Sequence, residues 1–355
     1  MRRLKSEEME LSIREAADRQ ALRQLREMFQ EEYGQHLAAS SITHLVREIN
    51  VIHDALIRRA VQLAETELCE EGQGEPPVPY SFVLFGSGGR SEQTLWSDQD
   101  NGLIYDPGDA HDMESVDRYF ELLAARIREV LESLGYPPCE GNVICTNARW
   151  RKPVGEWLVM LEHWLQDPHF EHIRYVLITA DGRSVWGDES LVRRLKDWLF
   201  AYARDKPEIL RSMVNNTLRH KVLLGPFGNL LKERYGEDTG AIDIKYGSYI
   251  PMVNGIRMLA IRESIHATHS LERIAALRAK GVIESDLLDD WTDAFAYSLW
   301  LRMMTPGQTD GQLLTTSGKL KVSLLDKDQI AELKRVLRIG QHLQRYVQRH
   351  GARRE

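Results

Sequence analysis

The chain has 355 residues, of which 43% are hydrophobic and 28% charged, an ordinary balance for a globular protein of two or three domains. Its formal net charge of −7 argues against general nucleic-acid binding, which needs a basic surface. The three cysteines show neither metal-ligand spacing nor a disulfide framework, so we expect a reducing, cytoplasmic environment. No apolar run reaches the roughly 18 residues of a membrane span, and we expect no membrane partner.

The N-terminal part is predicted to be helical. Apolar residues, unevenly spaced, predict a helix over about 7–36, and a second helix starts near Ser40–Thr43 and runs to about Cys69. His53 and Asp54 are adjacent on this second helix, as in metal-dependent HD phosphohydrolases. No further His or Asp follows in a matching pattern, so we predict a structural role. These long helices also offer a surface on which a homodimer would form.

The stretch from Phe82 to Tyr105 organises the rest of the chain. An acidic linker rich in Gly and Pro, Glu70–Pro79, leads into a predicted buried strand at Phe82–Phe85. A glycine turn, Gly86–Gly89, and a short helix follow. A second predicted strand then carries Asp98 and Asp100 into Leu103–Tyr105.

The spacing of Asp98 and Asp100 predicts a metal site. Side chains on a strand alternate between faces, so these two carboxylates share one face and Gln99 takes the other. Paired carboxylates repel each other unless a cation lies between them. Mg²⁺ (or Mn²⁺) suits such a pair, because it takes one or two carboxylates together with waters and substrate phosphates.

The glycine turn predicts the phosphate side of the same site. Without Cβ atoms, Gly86, Gly88 and Gly89 let backbone N–H groups approach phosphate oxygens, while Ser87 supplies a hydroxyl and Arg90 a positive charge. A P-loop is excluded because no Lys-Ser or Lys-Thr follows these glycines. A dinucleotide fingerprint fits poorly, because Ser91 replaces its third glycine and no room remains for a crossover helix.

The remaining elements follow in chain order. An apolar stripe predicts a helix that ends at Gly135. We then predict strands over 142–146 and 175–179, separated by a helix over 156–166. From Ser190 onward the chain is predicted to be helical, with a loop over 225–240 and a short alternating stretch over 241–247. Its predicted helices cover residues 191–202, 209–224, 252–266, 271–280, 285–303 and 326–350.

Two linked motifs carry a resemblance to a known family. The order Gly86-Ser87-x-x-Arg90-x-Glu92, then Ser97-Asp98-x-Asp100, is similar to the signature of polymerase-β-like nucleotidyltransferases. Within that superfamily it most resembles the DUF294 nucleotidyltransferases, relatives of the PII-protein uridylyltransferase. Weaker similarity extends from Ile49–Arg59 through Gly135–Val143 to Asp243–Lys245.

The resemblance implies an α+β fold and a Mg²⁺-dependent transferase. We expect an N-terminal helical segment (1–75), a nucleotidyltransferase domain with a small mixed sheet (76–189) and a C-terminal helical bundle (190–355). The implied reaction moves a nucleoside monophosphate from a nucleoside triphosphate to a protein or small-molecule acceptor, as a uridylyl- or adenylyltransferase does.

The resemblance also implies roles for individual residues. Asp98 and Asp100 would hold the metal, and Asp181 is the candidate third catalytic carboxylate, with Glu140 as the alternative. The nucleotide would contact the residues Gly86, Ser87, Arg90, Glu92, Ser97 and Lys245. A catalytically silent nucleotide sensor or protein-interaction module is the alternative function, and an absent third carboxylate would favour it.

Overall fold

The computed structural model describes residues 6–35, 41–109, 112–220, 222–225 and 228–352. Two compact units are present. The first comprises Met1–Glu162, Asp181–Asp197 and Gly307–Thr315, and the second comprises His163–Ala180, Trp198–Pro306 and Thr316–Glu355. The architecture is the expected mixture of α and β structure.

The α-helices, in chain order, are α1 (Ser6–Glu15), α2 (Arg19–Gly34), α3 (Ile42–Glu70), α4 (Gly86–Gly89), α5 (Met113–Ser133), α6 (Val154–Gln166), α7 (Phe170–Ala180), α8 (Glu189–Asp205), α9 (Pro207–Thr217), α10 (Ile250–Arg262), α11 (Ser270–Lys280), α12 (Ser285–Met303) and α13 (Lys327–His350). The strands are β1 (Tyr80–Leu84), β2 (Asn101–Tyr105), β3 (Arg151–Pro153), β4 (Arg183–Gly187), β5 (Ala241–Asp243), β6 (Gln308–Asp310), β7 (Leu313–Thr315) and β8 (Lys319–Lys321).

The helix predicted over 7–36 is divided into α1 and α2, and residue 36 lies outside the described residues. The division falls before Asp18, whose carboxylate accepts a hydrogen bond from the Ala21 N–H at 2.8 Å and so caps a new helix. The second predicted helix is confirmed as α3. Its apolar side chains recur every three or four residues and are buried, which explains why periodicity predicted it well.

A four-stranded sheet forms the centre of the first unit, in the order β3-β2-β1-β4. Strand β1 is antiparallel to both β2 and β4, whereas β2 and β3 are parallel. All residues of β1 and β2 are buried. Burial on both faces explains the continuous apolar runs that predicted these strands.

The strand predicted over 142–146 is wrong. These residues form turns, and Asn142 adopts a left-handed conformation (φ 56°) that interrupts extended backbone. The segment is bonded to Asn101, whose N–H donates to the Val143 carbonyl and whose Oδ1 accepts from the Cys145 N–H. The third strand of the sheet is instead β3.

The strand predicted over 175–179 is also wrong, because this run lies within helix α7. Thr179 donates its hydroxyl hydrogen to the Tyr175 carbonyl one turn earlier, as helical Thr residues do. A short run of apolar residues fits a buried helix as well as a buried strand, so periodicity alone misassigned it. The fourth strand is β4, which begins at Arg183.

The second unit is mainly helical, and its predicted C-terminal helices are confirmed as α10–α13. Asp326 and Gln329 form the capping box that their spacing indicated. The predicted alternating stretch becomes β5, which pairs with β8, and a π-helix over Lys245–Tyr249 follows it. Within the described residues, none of the helices combines the length and hydrophobicity that crossing a bilayer requires.

The buried imidazole of His53 gives the first testable prediction. Burial lowers the pKa of His53 from 6.5 to about 3, so the ring is neutral in the folded chain but gains a proton on unfolding below about pH 6.5. Below that pH the unfolded state binds one more proton than the folded state, so the free energy of unfolding decreases as the pH is lowered. We expect this group to remove about 1 kcal/mol of unfolding free energy per pH unit between about pH 6 and pH 4.

Urea unfolding of the full chain across this pH range tests the expectation. The variant His53→Gln should show a shallower pH dependence than wild type, whereas His342→Gln, which changes an exposed residue, should match wild type. Equal slopes in wild type and His53→Gln would contradict the assignment.

Candidate active site

The glycine turn is a single turn of helix, α4, that begins directly after β1. Gly86 has a φ of +52°, and a Cβ atom there would lie 2.0 Å from Oδ2 of Asp100. A Cβ at Gly89 would lie 2.2 Å from the backbone oxygen of Asp181. Both glycines are therefore required for the turn to pack against the acidic residues of the site.

The two aspartates precede the second strand and do not lie on it, since β2 begins at Asn101. They flank Gln99, which makes an isolated bridge to Pro138. The carboxylates nevertheless lie on one side, as their spacing predicted. Their ligand oxygens lie within 4.8 Å of each other and of the Cys139 sulfur, and all three side chains are half-buried.

Buried side chains from two helices hold the loop that leads to the aspartates. The side chain of Gln30 on α2 donates to the Leu95 carbonyl at 2.8 Å. On α3, Asn50 accepts from the Gln93 N–H at 2.9 Å and donates to the Gln93 carbonyl. These contacts satisfy buried backbone groups of a segment that has no regular secondary structure.

His53 holds the same loop with both of its ring nitrogens. Nε2 lies 2.9 Å from the Thr94 carbonyl and therefore donates to it, which leaves Nδ1 to accept from the Tyr136 hydroxyl at 2.7 Å. The predicted structural role of His53 agrees with this geometry, because neither nitrogen remains for a metal. Its neighbour Asp54 binds Arg183 through two hydrogen bonds, and Arg183 also donates to the Gly88 carbonyl.

A buried ion network lies beneath the glycine turn. Arg90 donates from Nε to Glu92 at 2.8 Å and from Nη1 to Asp181 at 2.7 Å, and all three side chains are buried. These contacts favour a positioning role over direct contact with nucleotide. Arg90 and Glu92 as nucleotide-binding residues remain a prediction.

The candidates for a third carboxylate lie outside the group that Asp98 and Asp100 form. Asp181 directly follows α7, is fully buried and binds Arg90. Glu140 is exposed. Among the residues that the structure describes, neither carboxylate converges with the aspartate pair. A metal-binding role for Asp181 therefore remains a prediction.

The other predicted nucleotide contacts are distributed over both units. Ser87 is buried in the glycine turn. Ser97 uses its hydroxyl within the loop, accepting from the Thr94 N–H at 3.0 Å. Lys245 lies in the second unit, where it begins the π-helix and its N–H donates to the Gly318 carbonyl. Short π-helical segments are frequent at functional sites. The roles of these three residues remain predictions.

The aspartate pair suits a divalent cation. Two part-exposed carboxylates converge beside the glycine turn, and carboxylate oxygens are the ligands that hard divalent cations prefer. A second convergence, Asp167 with His169 and His172, lies on the second unit, and the sequence analysis did not find it. Cys139 was given no metal role from the sequence, because the cysteine spacing matches no metal-ligand pattern, although this residue lies within the Gly135–Val143 stretch that carried the family resemblance.

Comparisons with known proteins place the chain in a family. Residues 23–171 match the family described as "Putative nucleotidyltransferase DUF294". Residues 207–351 match the family described as "Putative nucleotidyltransferase substrate binding domain". Together these matches cover most of the chain, which belongs to the DUF294 nucleotidyltransferases, as its motifs indicated. No match was found among curated proteins.

The buried network gives a prediction for stability. Replacing Arg90 with Met removes the buried cation that Glu92 and Asp181 share, and we expect a loss of about 3–5 kcal/mol of unfolding free energy. Arg194→Met is a matched control, because Arg194 also bonds a carboxylate at 2.7 Å but is half-exposed. That change should cost no more than about 1 kcal/mol. Similar losses for the two variants in urea unfolding would contradict the prediction.

The close approach of Gly86 to Asp100 gives a prediction for the site. Gly86→Ala places a Cβ against the Asp100 carboxylate at a left-handed position, so we expect a loss of about 1–3 kcal/mol and weaker Mn²⁺ binding. Gly155→Ala is the control, because its Cβ would meet nothing within 4 Å on helix α6. Calorimetric Mn²⁺ titration of the control should match wild type, and equal binding by Gly86→Ala would contradict the packing argument.

Proposed function

We propose that this chain is a divalent-metal-dependent nucleotidyltransferase that transfers a nucleoside monophosphate to a protein or small-molecule acceptor. The observation that carries the proposal is the convergence of Asp98 and Asp100 beside Gly86. The two carboxylates would hold the ion, and backbone N–H groups of the glycine turn would bind the phosphates. Membership of the DUF294 family supports the same class of reaction.

The chemistry follows from what such a site would bind. An acceptor oxygen forms a bond to the α-phosphorus of the nucleoside triphosphate, the bond from that phosphorus to the bridging oxygen breaks, and pyrophosphate leaves. An acceptor hydroxyl gives up its proton to solvent. Mg²⁺ or Mn²⁺ held by Asp98 and Asp100 would supply positive charge next to the reacting phosphates.

The residues around the aspartate pair would bind the phosphates or hold the loop in position. Gly86 and Ser87 would present the turn to the phosphates, and Lys245 is a further residue proposed to bind the nucleotide. Arg90 and Ser97, both buried and bonded within the loop, would fix the shape of the turn and of the segment before Asp98. Asp181 would act through Arg90, or as the third carboxylate that the family resemblance implies.

The proposed acceptor follows from the resemblance to the PII-protein uridylyltransferase. A PII-type regulatory protein is the first acceptor to test, with UTP and ATP as the first nucleotides. Uridylyl and adenylyl transfer use the same phosphate chemistry, so the aspartate pair serves either.

One observation favours the alternative function. Only two carboxylates converge at the site within the described part of the chain, and a third catalytic carboxylate is not among them. A catalytically silent nucleotide sensor needs no third carboxylate. In that case a nucleotide would stabilise the chain, yet pyrophosphate would not be released with any acceptor.

Replacing either aspartate tests the proposed function. Asp98→Asn and Asp100→Asn remove charge from the ion site, and we expect pyrophosphate release to fall at least about 100-fold, because metal stabilisation of the transition state is worth several kcal/mol. The assay uses Mg²⁺ or Mn²⁺, each of the four nucleoside triphosphates, and PII-type protein as acceptor. Asp109→Asn, which changes an exposed loop residue, should retain wild-type release.

Thermal melts of the same variants separate binding from chemistry. A nucleotide present at 100 times its Kd should add about 2.7 kcal/mol to the stability of wild type. We expect that gain to depend on the ion and to be lost in Asp98→Asn. Full pyrophosphate release by Asp98→Asn would contradict the proposal, and ion-dependent stabilisation without release for any acceptor would favour the sensor.

A further inference from the structure

Cys139 brings a sulfur atom into a site that otherwise contains carboxylate oxygens. Its Sγ lies within 4.8 Å of a ligand oxygen of Asp98 and of Asp100. The side chain is half-buried, as are those of Asp98 and Asp100.

Backbone pairing fixes the sulfur in this position. The Gln99 N–H donates to the Pro137 carbonyl at 2.9 Å, and the Gln99 side chain donates to the Tyr136 carbonyl at 2.9 Å. Beyond Cys139, the Val143 carbonyl accepts from the Asn101 N–H at 3.0 Å. The segment that contains Cys139 is therefore hydrogen-bonded on both sides of the cysteine to Gln99 and Asn101, the two neighbours of Asp100.

The other two cysteines have different surroundings. Cys145 is fully buried, and its thiol donates to the Ala124 carbonyl at 3.7 Å. Cys69 is exposed at the end of α3. Among the described residues, Cys139 is the cysteine that converges with carboxylates. The chain therefore contains an exposed thiol and a buried thiol as internal references.

We propose that Cys139 Sγ is a third ligand of the ion held by Asp98 and Asp100, and that it shifts the preference of the site from Mg²⁺ toward thiophilic ions such as Zn²⁺ and, to a lesser degree, Mn²⁺. The inference rests on the proposed function, which places an ion at this pair. Mg²⁺ prefers oxygen ligands, whereas a sulfur ligand selects softer ions. On coordination the sulfur binds as thiolate, and its proton passes to solvent.

Cadmium is the spectroscopic probe for sulfur coordination. Titrating Cd²⁺ into the full chain should produce a sulfur-to-cadmium charge-transfer band in the ultraviolet, which Cys139→Ser should lose and Cys69→Ser should retain. The second group, Asp167 with His169 and His172, contains no sulfur and contributes no such band. Persistence of the band in Cys139→Ser would overturn the proposal.

Alkylation of the wild-type chain gives a readout that needs no substitution. Iodoacetamide labelling, mapped by peptide mass spectrometry, should slow at Cys139 when Zn²⁺ is added and stay unchanged at Cys69. Asp98→Asn should remove this protection. Calorimetry should show that Cys139→Ser weakens Zn²⁺ binding at least about tenfold while Mg²⁺ binding changes little.

These measurements distinguish failure of the inference from failure of the proposed function. If Mg²⁺ or Zn²⁺ binds wild type and is lost in Asp98→Asn, but labelling at Cys139 is unaffected, the ion site stands and the sulfur ligand is overturned. If Mg²⁺, Mn²⁺ and Zn²⁺ all fail to bind wild type at this site, the ion and the sulfur ligand are both overturned.

Discussion

The candidate site depends on satisfying the backbone of one buried loop. Between Arg90 and Asp100 the chain has no regular secondary structure apart from the bridge at Gln99, yet most of it is buried. Buried N–H and carbonyl groups require partners, and side chains of α2 and α3 supply them. The position of the two aspartates is therefore set by helices that precede the sheet in sequence.

The need to support this loop explains the contacts of the motif residues that lie outside the glycine turn. Asn50 and His53 bond the loop, and Asp54 bonds the Arg183 side chain that donates to the Gly88 carbonyl. The family resemblance therefore includes residues that support the loop as well as the proposed site residues. A rigid support of this kind keeps the two carboxylates close together, which would reduce the reorganisation that binding of the proposed ion requires.

The sequence predicted those helices and strands whose pattern of apolar residues lies within one continuous segment. Strand β1 and helices α3 and α5 were predictable from apolar runs and periodicity. The convergence of Asp98 and Asp100 was predicted from alternation along a strand, but the pair precedes β2, so alternation is not what brings the two carboxylates together. The misassigned segment 175–179 was too short for its period to distinguish helix from strand. The contacts of Gln30 and Cys139 join residues distant in sequence, and no local pattern encodes them.

The hydrogen bonds that Arg183 donates to Asp54 and to the Gly88 carbonyl determine where a shorter fragment of the chain can begin. Composition places a natural cut in the linker before Tyr80, and a fragment starting there would keep the sheet, the glycine turn and both aspartates. It would lose Asn50, His53 and Asp54, and with them the partners of Gln93, Thr94 and Arg183. The smallest autonomous transferase fragment must therefore start upstream of α3, and a motif boundary is a poor guide to a folding boundary here.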